Sequence, residues 1–338
     1  MFYEAEVLVG LERFAVAELM PLAQRVSSDR PGAVWFEYEG DLRALRRLRT
    51  ITAIYAAGVF DVPRPRGLLG HQHFAQIVAA VRYVIDSHPQ DAFHTLHVSA
   101  AGDDTAVMRR FIEDLAQQVG LAPAADEGDL LVRLRRARDG DGWEVLVRIS
   151  PRPLSVRAWR VCNRPGAPNA ALAACMMQLS GPRADDRFLN ICCGSGTLLV
   201  ERLLQSRTQR AVGCDTDAAA LACAGENLRA AGLEGRAALE GWDARELPLE
   251  SGSMSVICAD LPFGQLVGTH AENETLYPQL IAEAARVAAP GARMVLLTHE
   301  VRLLEQALAR YEWAWAPVER LRVRSGGMTP GIYVLRRR

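Results

Sequence analysis

The sequence predicts an α/β protein of several domains: two small α+β units, then a doubly wound, mainly parallel sheet that closes with an antiparallel hairpin. Three observations predict it. A chain of 338 residues exceeds what one core usually serves. From about Ala170 onward, short apolar strands alternate with amphipathic helices, the pattern of a parallel sheet covered on both faces. Ahead of that region, two stretches rich in proline, glycine and arginine, DVPRPRGLLG and SPRPLSVRAWRVCNRPGAPN, interrupt the periodic segments.

In chain order, FYEAEVLV, LERFAVAELMPL, AVWFEYEG, DLRALRRL and ITAIYAAGVF alternate strand-like and helix-like periods and make a first α+β domain over 1–62. A second spans 68–152, with helices HFAQIVAAVRYVI and AVMRRFIEDLAQQV, strand FHTLHVSA, and the pair DLLVRLRRA and GWEVLVRI around the turn RDGDG. Residues 153–168 read as a linker, and 169–338 as the third domain. There RFLNIC, QRAVGCD, RAALE, SMSVICAD and ARMVLLTH are strands, while TLLVERLLQS, DAAALACAGENLRAAG and YPQLIAEAARVAAPG are helices. WAWAPVERLRVRS, GGMTP and GIYVLRR form the closing hairpin.

Composition is that of an ordinary globular protein, with 49% hydrophobic and 23% charged residues. No apolar run approaches the ~20 residues that cross a bilayer, so no membrane partner is expected. The opening MFYEAEVLVGLERF has no basic leader and reads as mature structure, which makes the cytoplasm the expected compartment. The seven cysteines include no CxxC pair; buried thiols are expected, and no metal site. All 39 basic residues are arginine, so any phosphate contact must come from a guanidinium group. Between Leu130 and Arg164 nine arginines face three acids, a surplus of six. A solvated face and a nucleic-acid surface account for such a cluster about equally well.

Ligands of an open parallel sheet bind beyond the carboxyl ends of its strands, near the point where strand order reverses. The first strand of the third domain ends in NICCGSGT. Cys192, Gly194, Ser195, Gly196 and Thr197 there form a turn into a helix that can bring backbone N–H groups to a ligand, although alone it is equally a tight connection. The next strand ends in GCDTD, placing Asp215 and Thr216 about 20 residues on, where a carboxylate accepts both hydroxyls of a ribose. Leu199 stands where a dinucleotide fingerprint needs its third glycine, and a chain without lysine cannot build a P-loop. S-adenosylmethionine remains as the expected cofactor. In GWDAREL, Asp243 and the Ala244 backbone supply an adenine contact, or else a turn. Asn169, which opens the domain, is counted among the cofactor contacts.

The fourth strand ends in DLPFG. With Asp260, Pro262 and Phe263 in place after a Gly-rich first turn, it resembles the signature of class I methyltransferases that modify exocyclic amines of nucleobases. An aryl amine is a poor nucleophile, because its lone pair is delocalised into the ring. By this resemblance the Asp260 carboxylate and the Leu261 carbonyl accept its hydrogens and localise the lone pair, Pro262 stiffens the turn, and Phe263 stacks on the base. The segment EGDLLVRLRRARDGDGWEVLVRISPRPLSVRAWRV, followed by this core, is similar to the THUMP-domain RNA methyltransferases of the tRNA guanine-N2 type. That likeness covers nearly the whole length. It implies ferredoxin-like and THUMP domains ahead of a Rossmann-fold class I methyltransferase, a monomer, and methylation of a guanosine N2 in the acceptor stem, at position 6. The first two domains would hold the acceptor stem and 3′ end of tRNA, with Arg133, Arg135, Arg152, Arg157 and Arg160 on phosphates. Asn190 and Ile191 stand where relatives carry Asp-Pro.

Three other activities compete: guanine-N2 methylation of ribosomal RNA, adenine-N6 methylation of RNA, and RNA binding by an inactive scaffold. Asp260, Pro262 and Phe263 speak against the last. Thiouridine synthesis fails on context, since SGGMT at Ser325 lies in the terminal hairpin and not after a first strand.

Overall fold

The computed structural model describes residues 1–102, 104–138, 140–264 and 269–338. It divides into two compact units: Met1–Val7 with Glu12–Ser155, and Leu8–Leu11 with Val156–Arg338.

The first unit runs β1 (Phe2–Glu6), α1 (Glu12–Leu19), β2 (Gln24–Arg30), β3 (Ala33–Glu37), α2 (Leu42–Leu45) and β4 (Ala53–Phe60). It continues with α3 (His71–Asp86), β5 (Thr95–Ala100), α4 (Ala106–Val119), β6 (Ala122–Pro123), β7 (Leu130–Arg136) and β8 (Trp143–Arg148). All eight strands belong to one sheet, in the order β2-β3-β1-β4-β8-β7-β5-β6. Segments 1–62 and 68–152 therefore share a sheet, joined where β4 pairs antiparallel with β8 from Tyr55↔Arg148 to Phe60↔Trp143. Alternation along the strands explains the layering: Tyr3 and Ala5, Val34 and Phe36, Ile54 and Ala56, and Val145 and Val147 enter one core with helix residues such as Val81 and Phe111. The proline-rich DVPRPRGLLG contributes a short 3₁₀ turn, Pro65–Leu69, with Leu68 buried.

The second unit runs α5 (Ala170–Leu179), β9 (Arg187–Ile191), α6 (Thr197–Gln205), β10 (Arg210–Cys214), α7 (Ala218–Ala230), β11 (Ala238–Glu240) and β12 (Met254–Asp260). Then come α8 (His270–Val287), β13 (Ala288–Thr298), α9 (Val301–Arg310), β14 (Trp315–Arg322) and β15 (Gly331–Arg337). Its sheet order is β11-β10-β9-β12-β13-β15-β14. The first five strands in that order are parallel, and β15 and β14 are antiparallel, as the hairpin pattern requires. The chain moves outward from β9 to β11 and then returns to β12 on the other side of β9, so the switch point lies between β9 and β12.

Three details depart from the sequence reading. Helix α8 begins seven residues before Tyr277, because the Thr269 side chain caps it by accepting from Glu272 N, and Pro278 is carried inside. Helices α5 and α9 and strands β2 and β6 are not among the expected elements. The expectation of seven thiols is corrected: Cys162 and Cys223, 61 residues apart in sequence, approach to 5.4 Å between Cα atoms and form a disulfide. The other five cysteines form no disulfide among the described residues.

Candidate functional site

A cleft of about 500 Å³ opens at the carboxyl ends of β9, β10, β11 and β12. It brings together Cys192, Gly194, Ser195, Thr197, Asp215, Thr216, Asp243, Ala244 and the whole Asp260–Phe263 stretch, four strand ends spread over some 70 residues of sequence. Gly196 lies in the same turn, as the N-cap of α6.

The turn after β9 follows from its residues. Gly194 and Gly196 have φ of +53° and +76°, and a side chain on Gly196 would meet Ala224 Cβ at 3.0 Å. Cys192 also takes a left-handed φ of +50°. Burial holds its thiol far above the ordinary range, so it is a packing group and not a nucleophile. Asn190, 1% exposed, donates through Nδ2 to Ile191 O at 3.3 Å and Cys258 O at 3.1 Å, tying β9 to β12 at the switch point. Its Oδ1 and the Ser195 Oγ are buried at this cleft with no hydrogen-bond partner among the described residues.

Asp215, just beyond β10, accepts from Gly194 N at 2.8 Å and from Asp217 N at 3.1 Å. Two backbone donors aim this carboxylate and leave lone pairs over for a ligand. Asp243 is differently placed: Arg245 contacts both its oxygens and, by hydrogen bonding, holds its carboxyl below the usual carboxylate range. Asn169 spends its side-chain oxygen on capping α5, at 2.8 Å from Ala171 N. The residues just before it, Arg164–Pro168, form a wall of the cleft instead.

At the end of β12 the Asp260 carboxyl has no hydrogen-bond partner among the described residues. Desolvation by its surroundings pushes it up to about 8. The next peptide is pinned, with Leu261 N donating to Leu297 O at 2.9 Å. The Pro262 carbonyl accepts from Tyr277 Oη at 2.7 Å and from Asn273 Nδ2 at 2.9 Å. The Phe263 ring lies 4.2 Å from that of His299, whose pKa burial lowers. Asn273, Tyr277 and His299 escaped the sequence reading. The four-residue spacing of the first two on one helix was the available signal.

The arginine strip looks different in space. Arg133 pairs with Glu6 at 2.5 Å and lies over the Tyr55 ring, and Arg135 sits between Glu4 and Glu144. Arg157 pairs at 3.0 Å with the buried Glu201. Arg160 donates to Pro168 O and Thr197 Oγ1, at 2.8 and 2.9 Å, and so braces the cleft wall. Arg152 is exposed. Four of the five thus have an intramolecular occupation, and glutamates distant in sequence offset much of the local surplus. Among the described residues no cluster of metal-ligating side chains occurs, and no helix is long and apolar enough to cross a membrane.

Comparison with known proteins matches residues 157–330 to the family UPF0020, described as an RMKL-like methyltransferase domain. The tRNA (guanine(6)-N(2))-methyltransferase THUMP3 of Bos taurus is 30% identical over 180 residues, covering 50% of this chain and 36% of the relative. The chain thus spans little more than a third of that relative's length. The tRNA (guanine(6)-N2)-methyltransferase of Methanocaldococcus jannaschii is 23% identical over 270 residues, 68% of this chain and 69% of the relative. Among solved structures, TrmN from Thermus thermophilus matches with a TM-score of 0.76 at 23% identity, covering 100% of this chain and 99% of the other. SMU.472, a putative methyltransferase complexed with SAH, matches with a TM-score of 0.69 at 15% identity, over 98% and 97%. These likenesses extend the shared fold over both units.

Proposed function

The chain belongs to the UPF0020 family of RMKL-like methyltransferase domains, and from that premise we propose that it methylates the exocyclic N2 amine of a guanosine in tRNA, at position 6 of the acceptor stem. The observation that carries the proposal is Asp260: a desolvated carboxyl at the switch-point cleft, unpaired among the described residues and followed by Pro262 and Phe263. The relatives named for guanine-N2 methylation support the choice of base and RNA.

The cleft fits S-adenosylmethionine. Asn190 Oδ1 and Ser195 Oγ are buried there without partners among the described residues, beside a Gly194 whose missing side chain leaves open space. Asp215, held by two backbone N–H groups, retains acceptor capacity for ribose hydroxyls. Asp243 shares its oxygens with Arg245, so the Ala244 backbone carries more of the adenine contact. The Asn169 assignment is best replaced by the Arg164–Pro168 wall that precedes it. When bound, the cofactor supplies a methyl group on a cationic sulfur.

The chain's own residues do the rest. A cation nearby favours the ionised form of Asp260, converting it from a hydrogen donor to an acceptor. Asp260 then accepts a hydrogen bond from one N–H of the base amine while the Leu261 carbonyl accepts from the other, which localises the lone pair. Phe263, braced by His299, offers a face for a base that has left its stack. We further propose that 1–62 and 68–152 serve as ferredoxin-like and THUMP modules that hold the acceptor stem and 3′ end, with 153–168 as linker and 169–338 as the Rossmann-fold catalytic part. In this reading the protein is a cytoplasmic monomer. Arg152 is the foremost phosphate contact, because the other four arginines must share their charge with glutamates or with the cleft wall.

The test is methylation of unmodified tRNA transcripts with labelled cofactor, digestion to nucleosides, and mapping of the product. N2-methylguanosine that disappears in Asp260→Ala supports the proposal. Label in ribosomal RNA alone, or as N6-methyladenosine, would overturn it.

A further inference from the structure

Two side chains outside the sequence motif converge on its backbone. Asn273 and Tyr277 are four residues apart on α8 and buried, at 1% and 0% exposure. Asn273 Nδ2 and Tyr277 Oη reach the same atom, the Pro262 carbonyl oxygen, at 2.9 and 2.7 Å. A carbonyl has two lone pairs, and both are filled here.

The direction of each bond is determined. Asn273 Nδ2 also reaches Glu300 Oε1 at 2.8 Å, so two acceptors fix which end of the amide faces the turn. The Pro262 carbonyl can only accept, so Tyr277 must give it its single hydroxyl hydrogen. The 2.9 Å contact between Tyr277 Oη and Thr298 Oγ1 is then donated by Thr298, whose oxygen accepts in turn from Glu300 N at 2.9 Å. The chain runs from the Glu300 amide through Thr298 and Tyr277 to Pro262, each hydrogen used once.

We propose that Asn273 and Tyr277 are positioning residues: a two-donor clamp on the Pro262 carbonyl that aims Asp260 and Phe263 at the methyl acceptor. The proposal rests on reading Asp260–Phe263 as the acceptor site. One donor would satisfy the buried carbonyl, whereas two define its direction. The ring of Pro262 already fixes its φ, so the carbonyl's direction reports the one remaining soft dihedral, and holding it sets where Phe263 departs. Phe263 meets His299, the residue after Thr298, so the turn is referenced at both ends to the end of β13.

The full-length protein is compared with Tyr277→Phe, Asn273→Ala and the double variant. Single-turnover methylation of unmodified tRNA transcripts is measured beside calorimetric affinity for S-adenosylmethionine. Each single change should slow the saturating rate ~3- to 10-fold, and the double change more than the product of the two, ~100-fold or beyond, as loss of alignment implies. Cofactor affinity and the tRNA concentration for half-maximal rate should move less than about twofold, a split that general loosening of the fold would not produce. Tyr277→Phe keeps the packed ring and decides the matter alone if the double variant does not fold. A wild-type rate in Tyr277→Phe, or a fall matched by lost cofactor affinity, would overturn the clamp. Asp260→Ala separates the two levels: if it turns over normally, the acceptor-site reading fails and the clamp with it. If it is dead while Tyr277→Phe is normal, only the clamp fails.

Discussion

Cofactor binding should release a proton from Asp260. With its carboxyl pushed up to about 8, Asp260 is largely protonated at pH 7. The cause is desolvation alone, so a cation placed in the cleft acts against it directly. The sign follows: ligand that prefers the ionised form binds more tightly as pH rises toward about 8 and levels off above it. Within that window affinity should gain up to ~10-fold per pH unit, the limit for one linked proton. Calorimetry between pH 6 and 9, in buffers of differing ionisation enthalpy, measures both the slope and the protons released. S-adenosylhomocysteine, whose sulfur is neutral, should release fewer. Asp260→Asn should flatten the profile for S-adenosylmethionine. A pH-independent wild-type affinity, or an unchanged slope in Asp260→Asn, would refute the linkage and with it the placement of the sulfonium beside this carboxyl.

Five other changes bear on separate parts of the molecule. Asp215→Ala should weaken cofactor binding by about 1.5 to 3 kcal/mol, the usual worth of hydrogen bonds to a charged group, measured by calorimetry. Phe263→Ala should leave cofactor affinity in place but cost ~1 to 3 kcal/mol in RNA-dependent steps through lost stacking, as read from single-turnover rates. Glu201→Gln would remove the carboxylate that pairs with the Arg157 guanidinium, 8% exposed, and denaturant unfolding should show a loss of about 3 to 5 kcal/mol. Arg152→Ala should reduce the salt slope of tRNA binding by about one, whereas Arg157→Ala should act on stability.

Much of the site was legible in the chain because a parallel sheet repeats one local unit. Each strand ends at the same edge, so GSG after β9, Asp215 after β10, Asp243 after β11 and DLPF after β12 come together without any long-range pairing having to be known. Their chemistry lies in residue types read over five or six positions. The hairpin of β14 and β15 was legible for a similar reason, since no helix-length segment separates its strands.

What tertiary structure alone decided involves partners that sequence distance hides. Arg133 and Arg135 seemed unpaired in a basic stretch, yet their glutamates lie 127 and 131 residues away on β1. The Cys162–Cys223 bond, the joining of β4 to β8 across two expected domains, and the Tyr277 and Asn273 bonds to Pro262 are of the same kind. Periodicity and turn chemistry report a residue's own neighbourhood. Charge compensation and hydrogen bonding are settled by whichever group packing brings within about 3 Å, and burial makes that choice costly to leave unmade.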